Sequence, residues 1–455
     1  MNLRFLPLLG VALAGCQTAT PPPASAQADP TATTKAVAAQ PTALDDYLKK
    51  PEEAFKWTDS SADYAGDGFA NLRLVSQTWQ DKPWKHRLQI FKPGKLAFND
   101  TAVLYISDGS GSFPQSILGQ GIADISGAYA VNVFNVPNQP LYGRQEDALV
   151  AYSFQKYLET GDPTWPLLLP MTKAVTKTMD ALQEWSKKTQ GKEIKRFVVT
   201  GASKRSWTAY LVAAGDKRVV ACVPIVYDNL NIPAQIEHQN QVWGQTSQMA
   251  AAFSDLGLMD KEATGSTRGK ELLAAVDPYS YLNRLTMPIL SINATNDGYW
   301  PHDAQTVYRD QLGKVTSLST YYAPNATHFL GAEIIPLAQS AASWTRLILS
   351  GAKIPTVGLR RVGSAFIATP SARPTSVTLW VAKSPTRDFR KAQWNSIPMR
   401  TTGNGWEATV SSADVELYGA AFAQVSWPNG QVESPVVLAS PMWTNGEDVL
   451  MAKAF

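Results

Sequence analysis

The sequence has few cysteines, few histidines and almost no excess of charge of either sign. Its 455 residues include 2 cysteines and 4 histidines, and so few cysteines exclude a disulfide-stapled scaffold. The histidines are scattered without metal-ligand spacing, so we expect neither a metal nor an organic cofactor. The 41 basic and 38 acidic residues include no basic block, which gives no electrostatic reason to expect nucleic acid as a partner.

The N-terminal residues resemble a bacterial lipoprotein signal. A positive start and a short apolar run at 5–14 lead to Leu13-Ala14-Gly15-Cys16, which resembles a lipobox. We expect residues 1–16 to be an export signal with lipid attached to Cys16, and an ordinary signal peptide is the alternative. Gln17 favours the outer membrane, so the predicted protein is lipid-anchored in the bacterial envelope and faces the periplasm. Cys222, in an apolar run, is predicted to be a buried side chain rather than a reactive thiol.

Composition divides the rest of the chain into three parts. Residues 17–43 are rich in Ala, Thr, Pro and Gln and predict a disordered tether. Residues 44–355 alternate predicted strands with predicted helices, which indicates an α/β fold. Residues 356–455 show short alternating runs divided by Pro, Gly and Asn, which predicts an all-β sandwich of immunoglobulin or fibronectin type. We expect this sandwich to be a passive stabilising domain, with substrate positioning and surface attachment as alternatives.

The α/β part predicts a doubly wound sheet of about eight strands. The predicted strands cover residues 70–79, 86–91, 102–106, 129–136, 197–200, 219–226, 288–294 and 319–323, and the predicted helices include 146–158, 171–185 and 334–349. The first two strands alternate polar and apolar residues, whereas the run at 102–106 is almost entirely apolar, as in a central parallel strand. Residues 228–285 form an unusually long connection, which we interpret as a cap over the site rather than a purely structural excursion.

A serine in a predicted strand-to-helix turn is the centre of the predicted site. The string Thr200-Gly201-Ala202-Ser203-Lys204 follows an apolar strand and leads into a predicted helix. Such a turn holds a side chain out of the sheet edge beside helix N–H groups, as a nucleophilic serine requires. The alternative is a serine that only caps the helix. The usual motif is G-x-S-x-G, and here Arg205 stands in place of the second glycine.

A serine nucleophile needs a histidine base and a carboxylate that orients the histidine. His328 directly follows the last predicted strand, at the sheet edge where parallel strands end. Asp297 follows the strand at 288–294 at the same edge; a simple turn aspartate is the alternative, and Asp303 is the reserve candidate for the acid. The chain order Ser203, Asp297, His328 is the order found in α/β-hydrolases.

Groups beside Ser203 are candidates for an oxyanion hole and for substrate binding. The N–H of Lys204 follows the serine, and the loop around Gly109 follows a central strand. The side chains of Lys204 and Arg205 either bind a substrate carboxylate or phosphate, pair with acidic neighbours, or cap local structure; we favour the last two, and Arg205 remains a substrate-binding candidate. Four aromatic residues are further candidates, although core packing also explains such residues: Trp207, Trp243, Tyr299 and Trp300.

Several strings together carry a family resemblance. They are Leu74-Val75-Ser76-Gln77-Thr78-Trp79, Gly201-Ala202-Ser203-Lys204-Arg205-Ser206-Trp207-Thr208, Val223-Pro224-Ile225-Val226-Tyr227-Asp228-Asn229-Leu230-Asn231, Asp277-Pro278-Tyr279-Ser280-Tyr281, Met287-Pro288, Asn293-Ala294-Thr295-Asn296-Asp297 and Pro324-Asn325-Ala326-Thr327-His328. From about Leu44 onward the chain resembles the PhoPQ-activated pathogenicity-related proteins. The resemblance implies an α/β-hydrolase domain with a β-sandwich appendix and a triad at Ser203, Asp297 and His328. Ser206, where glycine is expected, and the extra His302 depart from the family pattern.

These observations predict an envelope serine hydrolase that cleaves an ester or an amide bond through an acyl-enzyme on Ser203. One alternative is a non-catalytic envelope protein that uses a hydrolase scaffold to bind a peptide or another partner. A second alternative is a peptidase with the same triad. The resemblance says little about the substrate, because the family name records regulation and virulence association rather than a reaction.

Overall fold

The computed structural model describes residues 42–109, 113–403, 405–410, 418–428, 430, 432–433 and 438–441. The predicted signal peptide, Cys16 and residues 17–41 of the predicted tether lie outside the described residues. All of the described residues belong to one compact unit. The first described helix begins at Ala43, where the side chain of Thr42 caps it, one residue before the predicted boundary at Leu44.

A nine-stranded mixed sheet forms the centre of the molecule. Its strands are β1 (Lys56–Asp59), β2 (Ala70–Trp79), β3 (Lys82–Phe91), β4 (Phe98–Ile106), β5 (Ala128–Val133), β6 (Arg196–Ala202), β7 (Val219–Ile225), β8 (Ile289–Ala294) and β9 (Leu318–Ala323). They lie in the order β1-β2-β3-β5-β4-β6-β7-β8-β9. From β4 to β9 neighbouring strands are parallel, whereas β1, β2 and β3 pair antiparallel. The predicted α/β fold is confirmed, and β1 is an additional strand that the sequence analysis did not predict.

Helices cover both faces of the sheet. They are α1 (Ala43–Lys49), α2 (Phe113–Ser126), α3 (Glu146–Thr160), α4 (Leu168–Gln190), α5 (Lys204–Gly215), α6 (Ile232–Trp243), α7 (Ala251–Ser254), α8 (Lys261–Gly265), α9 (Thr267–Val276), α10 (Arg309–Leu312) and α11 (Ile334–Ser350). Consecutive strand residues point to opposite faces: Val199 lies in the same apolar cluster as Trp185 of α4, whereas Val198 shares a cluster with Trp344 of α11. Alternate residues of each central strand therefore bury against different helices, which explains why these strands are apolar throughout.

The long connection between β7 and β8 is a helical insertion. It contains α6, α7, α8 and α9, together with short 3₁₀ turns. Asp277 joins the two ends of this insertion, because its carboxylate accepts the N–H of Ile232 (2.7 Å) and the N–H of Tyr279 (2.9 Å). Burial raises the pKa of Asp277 to about 6 despite these hydrogen bonds. One side chain therefore holds the first helix of the insertion against its last turn.

Two antiparallel sheets follow α11. One has the order β10-β11-β15-β14, the other β13-β12-β16-β17 with β18 beside β16. The strands are β10 (Val357–Val362), β11 (Ala365–Pro370), β12 (Ser376–Ser384), β13 (Asn395–Pro398), β14 (Arg400–Thr402), β15 (Gly405–Thr409), β16 (Tyr418–Ser426), β17 (Val432–Glu433) and β18 (Leu438–Pro441). Leu359 and Phe366 of the first sheet share an apolar cluster with Leu379 and Val425 of the second. A C-terminal all-β region is therefore present, and its immunoglobulin or fibronectin type stays a prediction.

The described helices include none that combines the length and the apolar character required to cross a membrane.

Candidate active site

Ser203 occupies a sharp turn between β6 and α5. Its backbone has φ 56° and ψ −125°, a conformation that costs energy for any residue other than glycine. The N–H of Ser203 donates to the carbonyl of Ile225 (2.9 Å), which fixes the turn against β7. The hydroxyl of Ser203 makes no capping hydrogen bond to α5. The alternative in which Ser203 acts as a helix cap is therefore wrong.

The hydroxyl of Ser203 belongs to a chain of three hydrogen-bonded side chains. Ser203 Oγ lies 2.9 Å from His328 Nε2. On the other side of the imidazole, His328 Nδ1 lies 2.8 Å from Asp297 Oδ2 and 3.1 Å from Asp297 Oδ1. Asp297 Oδ1 also accepts the backbone N–H of Tyr299 (2.7 Å), and both His328 and Asp297 are buried. The structure brings together the three residues that chain order had selected.

The parallel strands explain why these side chains meet. Ser203 directly follows β6, while β8 ends at Ala294 and β9 at Ala323, a few residues before Asp297 and His328. Because β6, β7, β8 and β9 are parallel, all three loops leave the sheet at the same edge. The parallel sheet therefore brings Ser203 and His328 together although they are 125 residues apart in sequence.

Asp303, the reserve candidate for the acid, has a different histidine partner. Its Oδ1 lies 2.8 Å from His238 Nε2, and its Oδ2 lies 3.3 Å from Arg387 Nη2. Burial would raise the pKa of Asp303, but the hydrogen bond from His238 and the neighbouring positive charges hold it below the usual range. Another histidine, His86, has its pKa lowered to about 4, mainly by burial. The histidine that contacts Ser203 is His328.

Comparisons with known proteins identify the family. The family model described as PhoPQ-activated pathogenicity-related protein matches residues 44–390. The chain belongs to this family. Autocrine proliferation repressor protein A of Dictyostelium discoideum is similar to it, with 34% identity over 381 residues that cover 77% of this chain and 76% of that protein.

Solved structures resemble this PhoPQ-related chain more distantly. Acetyl xylan esterase 1 from Thermoanaerobacterium sp. JW/SL YS485 matches with a TM-score of 0.45 and 12% identity, over 68% of this chain and 94% of the esterase. The acylaminoacyl peptidase of Pyrococcus horikoshii matches with a TM-score of 0.39 and 13% identity, over 66% of this chain and 41% of the peptidase. The chain thus spans less than half of that peptidase, and these likenesses assign no activity to it.

The PhoPQ-related chain departs from G-x-S-x-G, and the packing around the turn accommodates the departure. A Cβ atom on Gly201 would lie 2.8 Å from the Cβ of Arg205. Position 201 therefore has to be glycine when arginine occupies position 205, where the motif has its second glycine. Ser206, where the family resemblance led us to expect glycine, accepts the N–H of Ile225 on its hydroxyl (2.7 Å). This serine therefore ties α5 to β7.

Lys204 and Arg205 pair with acidic residues at the start of α3. Arg205 Nη1 and Nη2 each lie 2.6 Å from an oxygen of Glu146, and Arg205 Nε donates to the carbonyl of Val136 (2.9 Å). Lys204 Nζ lies 2.7 Å from Glu146 Oε2 and 2.9 Å from Asp147 Oδ1. Lys204 and Arg205 therefore pair with acidic neighbours, as one of the predicted alternatives stated. The guanidinium of Arg205 is bonded to protein groups and also lines a cavity that includes Ser203, so its part in substrate binding stays a prediction.

One candidate donor for an oxyanion hole directly follows Ser203, and the other belongs to the loop after β4. Lys204 is the first residue of α5, and the N–H at that position has no acceptor within a helix. Ser107 and Asp108, which follow β4, line a cavity that also includes Ser203. Gly109 is the next residue, with φ 65°, and its part in an oxyanion hole stays a prediction.

An apolar cavity lies between α3 and the helical insertion, beside Ser203. It has a volume of about 100 Å³ and is partly open to solvent. Trp243 lies outside the lining of this cavity and packs against Arg390, whose guanidinium carbon is 4.2 Å from a Trp243 ring centroid. Trp243 therefore does not share the environment of the other aromatic candidates. Three of the four aromatic candidates do line the cavity: Trp207, Tyr299 and Trp300.

Two asparagines join the loops of the acid and of the histidine to the C-terminal β region. Asn296 Nδ2 donates to the carbonyl of Ala392 (2.7 Å). Asn325 exchanges two hydrogen bonds with the backbone of Trp394, from Nδ2 to the carbonyl (2.9 Å) and from the N–H to Oδ1 (2.7 Å). The β region therefore contacts the residues next to the triad, which the sequence analysis did not predict.

Cys222 is a buried thiol in β7. Burial raises its pKa, so the side chain stays in the neutral thiol form at physiological pH. In the part of the chain that the structure describes, no three or more His, Cys, Asp or Glu side chains are grouped as a metal ion would require.

Proposed function

We propose that this protein is a serine hydrolase that cleaves an ester or an amide bond through a covalent acyl-enzyme on Ser203. The observation that carries the proposal is the Ser203–His328–Asp297 chain, with contacts of 2.9 Å and 2.8 Å. A neutral hydroxyl is a poor nucleophile, and a histidine within hydrogen-bonding distance activates it by taking its proton. The strained turn at Ser203 supports the same function, because such turns expose a nucleophile at the sheet edge.

Each side chain of the triad has a defined role in the proposed reaction. His328 Nε2 takes the proton of Ser203 Oγ as the oxygen attacks the substrate carbonyl, and then gives the proton to the leaving group. Asp297 accepts the Nδ1–H of His328, which fixes the tautomer and stabilises the imidazolium. The N–H of Lys204 and a donor from the loop at Gly109 bind the oxyanion, and losing one such donor costs roughly 3 kcal/mol of barrier. Water then attacks the acyl-enzyme and releases the acid.

A fluorophosphonate probe tests this proposal. We expect the folded protein to be labelled, and we expect Ser203→Ala and His328→Ala to abolish labelling, because the probe reacts only with an activated serine. Ser254→Ala in α7, whose hydroxyl donates to the carbonyl of Ala251 (3.4 Å), is a matched control that we expect to retain labelling. A folded protein that is not labelled would refute the hydrolase proposal and favour the non-catalytic binding protein.

We also propose that the protein is exported and anchored in the bacterial envelope through lipid on Cys16, facing the periplasm. The proposal rests on the short apolar run and the lipobox-like string in residues 1–16. In bacteria that express the protein, we expect incorporation of labelled palmitate that Cys16→Ser abolishes. Unchanged palmitate incorporation in Cys16→Ser, or none in the native sequence, would contradict the lipid anchor.

A further inference from the structure

The apolar cavity beside Ser203 has an apolar wall. Side chains from α3 and from the helical insertion form this wall, and Ser203 belongs to the same lining. Because burial of apolar surface is rewarded in proportion to the area removed from water, such a wall binds hydrocarbon rather than polar groups. Apolar residues of this lining include Phe154, Ile236, Phe253, Leu258, Leu272 and Val276.

The charges that line the cavity neutralise each other. Among the described residues, the charged ones in the lining are Lys204 and Asp147, and Lys204 Nζ lies 2.9 Å from Asp147 Oδ1. The hydroxyl of Tyr299 donates to the other oxygen of Asp147 (2.7 Å). These contacts leave neither charge available for an ammonium or a carboxylate group of a substrate. A charged group that entered this cavity would therefore lose its hydration without gaining a partner.

We propose that this cavity binds the acyl chain of an uncharged ester, a straight alkanoyl group of about six carbons or more. The inference rests on the proposed function and specifies its substrate class. Ser203 Oγ bonds to the ester carbonyl carbon, the bond from that carbon to the alcohol oxygen breaks, and His328 delivers the serine proton to the departing alcohol. Water then cleaves the acyl-enzyme to give the alkanoate and free Ser203. An aminoacyl group fits less well, because its ammonium finds no free carboxylate in the cavity.

A series of p-nitrophenyl esters of increasing acyl length tests this inference. We expect kcat/KM to rise roughly 50-fold or more from the acetate to the hexanoate, since each added methylene leaves water for the apolar wall. Leu258→Trp fills part of the cavity, so we expect the hexanoate-to-acetate ratio of kcat/KM to fall about tenfold. Ile236→Trp, on α6, is a second filling variant with the same expected shift if Leu258→Trp does not fold.

Leu256→Trp is the matched control. Leu256 lies two residues before Leu258 but is exposed and outside the cavity lining, so the same substitution there is expected to leave the ratio within twofold of the native value. A chain-length profile that is flat or favours acetate, a ratio unchanged in both filling variants, or faster cleavage of leucine p-nitroanilide than of the hexanoate would overturn the acyl-chain inference. The proposed function fails separately, if Ser203 is not labelled by the fluorophosphonate probe.

Discussion

Replacing Asp297 by asparagine is expected to lower kcat for ester hydrolysis by about 10⁴-fold at neutral pH. His328 Nδ1 lies 2.8 Å from Asp297 Oδ2, so the carboxylate accepts the Nδ1–H and leaves Nε2 free to receive the proton of Ser203. An asparagine removes the negative charge that stabilises the imidazolium and no longer enforces this tautomer. The measurement is kcat with a p-nitrophenyl ester, together with circular dichroism to establish that the variant is folded.

Asp303→Asn provides the control for this experiment. Asp303 is also a buried aspartate bonded to a histidine, with 2.8 Å between its Oδ1 and His238 Nε2, but that histidine does not contact Ser203. We therefore expect Asp303→Asn to change kcat by less than about tenfold. If Asp303→Asn abolished activity while Asp297→Asn did not, the acid of the triad would be Asp303 and the proposed assignment would be wrong.

Replacing Glu146 by glutamine is expected to lower the free energy of unfolding by about 2–3 kcal/mol. The carboxylate of Glu146 contacts both nitrogens of the Arg205 fork and also Lys204. Arg205 is 7% exposed, so the substitution gives a buried cation a neutral amide in place of its nearest carboxylate, and the carboxylate of Asp108 is farther away, 3.9 Å from Arg205 Nη2. Breaking a fully buried ion pair lowers the free energy of unfolding by more than this. The expected loss is smaller here because the Glu146 side chain is 35% exposed, and solvent weakens its interaction with Arg205. Urea unfolding measures the change.

The same pair makes stability depend on pH in a defined direction. Burial would raise the pKa of Glu146, but the hydrogen bond and charge of Arg205, and then Lys204, hold it well below its usual range. A carboxyl group with a lowered pKa contributes stability above its unfolded value, near pH 4.3, and loses that contribution as the pH falls further. The stability difference between native protein and Glu146→Gln should therefore be constant from about pH 6 to 8 and shrink below about pH 4.

Glu159→Gln, in the same helix, is the control for Glu146→Gln. Glu159 pairs with Lys156 at 2.7 Å, and both side chains of that pair are substantially exposed (32% and 46%). Such a pair contributes little, so we expect a change of no more than about 0.5 kcal/mol. Equal losses in the two variants would show that Glu146 acts only as an exposed helix residue and that its contacts with Arg205 do not stabilise the fold.

The central strands and the three residues of the candidate triad could be predicted from the sequence. The runs at 102–106 and 197–200 are apolar because both faces of β4 and β6 are covered, and such runs are visible without any knowledge of the partner helices. Ser203, Asp297 and His328 could be placed together because each follows a parallel strand, and parallel strands end at one edge. Regular topology makes that proximity predictable over long separations in sequence.

Other features have no local pattern that would predict them. In β1, Lys56–Asp59, no residue is buried, so the strand shows no alternation and exists only because it pairs with β2. The ion pair between Arg205 and Glu146 joins residues 59 apart in sequence, and nothing in either neighbourhood identifies its partner. The apolar cavity is likewise assembled from α3, α5, the helical insertion and the loop at Tyr299. These features depend on packing between elements rather than on the periodicity of one element.

The asparagine contacts to the β region restrict how the C-terminal part can be exchanged between relatives during evolution. Asn296 and Asn325 bind backbone atoms of Ala392 and Trp394, and the family match ends at residue 390, beside these partners. Recombination near residue 355 would give the acid and histidine loops a foreign segment in place of the connection between β12 and β13. Because the bonds go to backbone groups, a replacement domain is tolerated if it reproduces the local chain path, whatever its side chains. The C-terminal sheets can therefore diverge in sequence while that short path is retained.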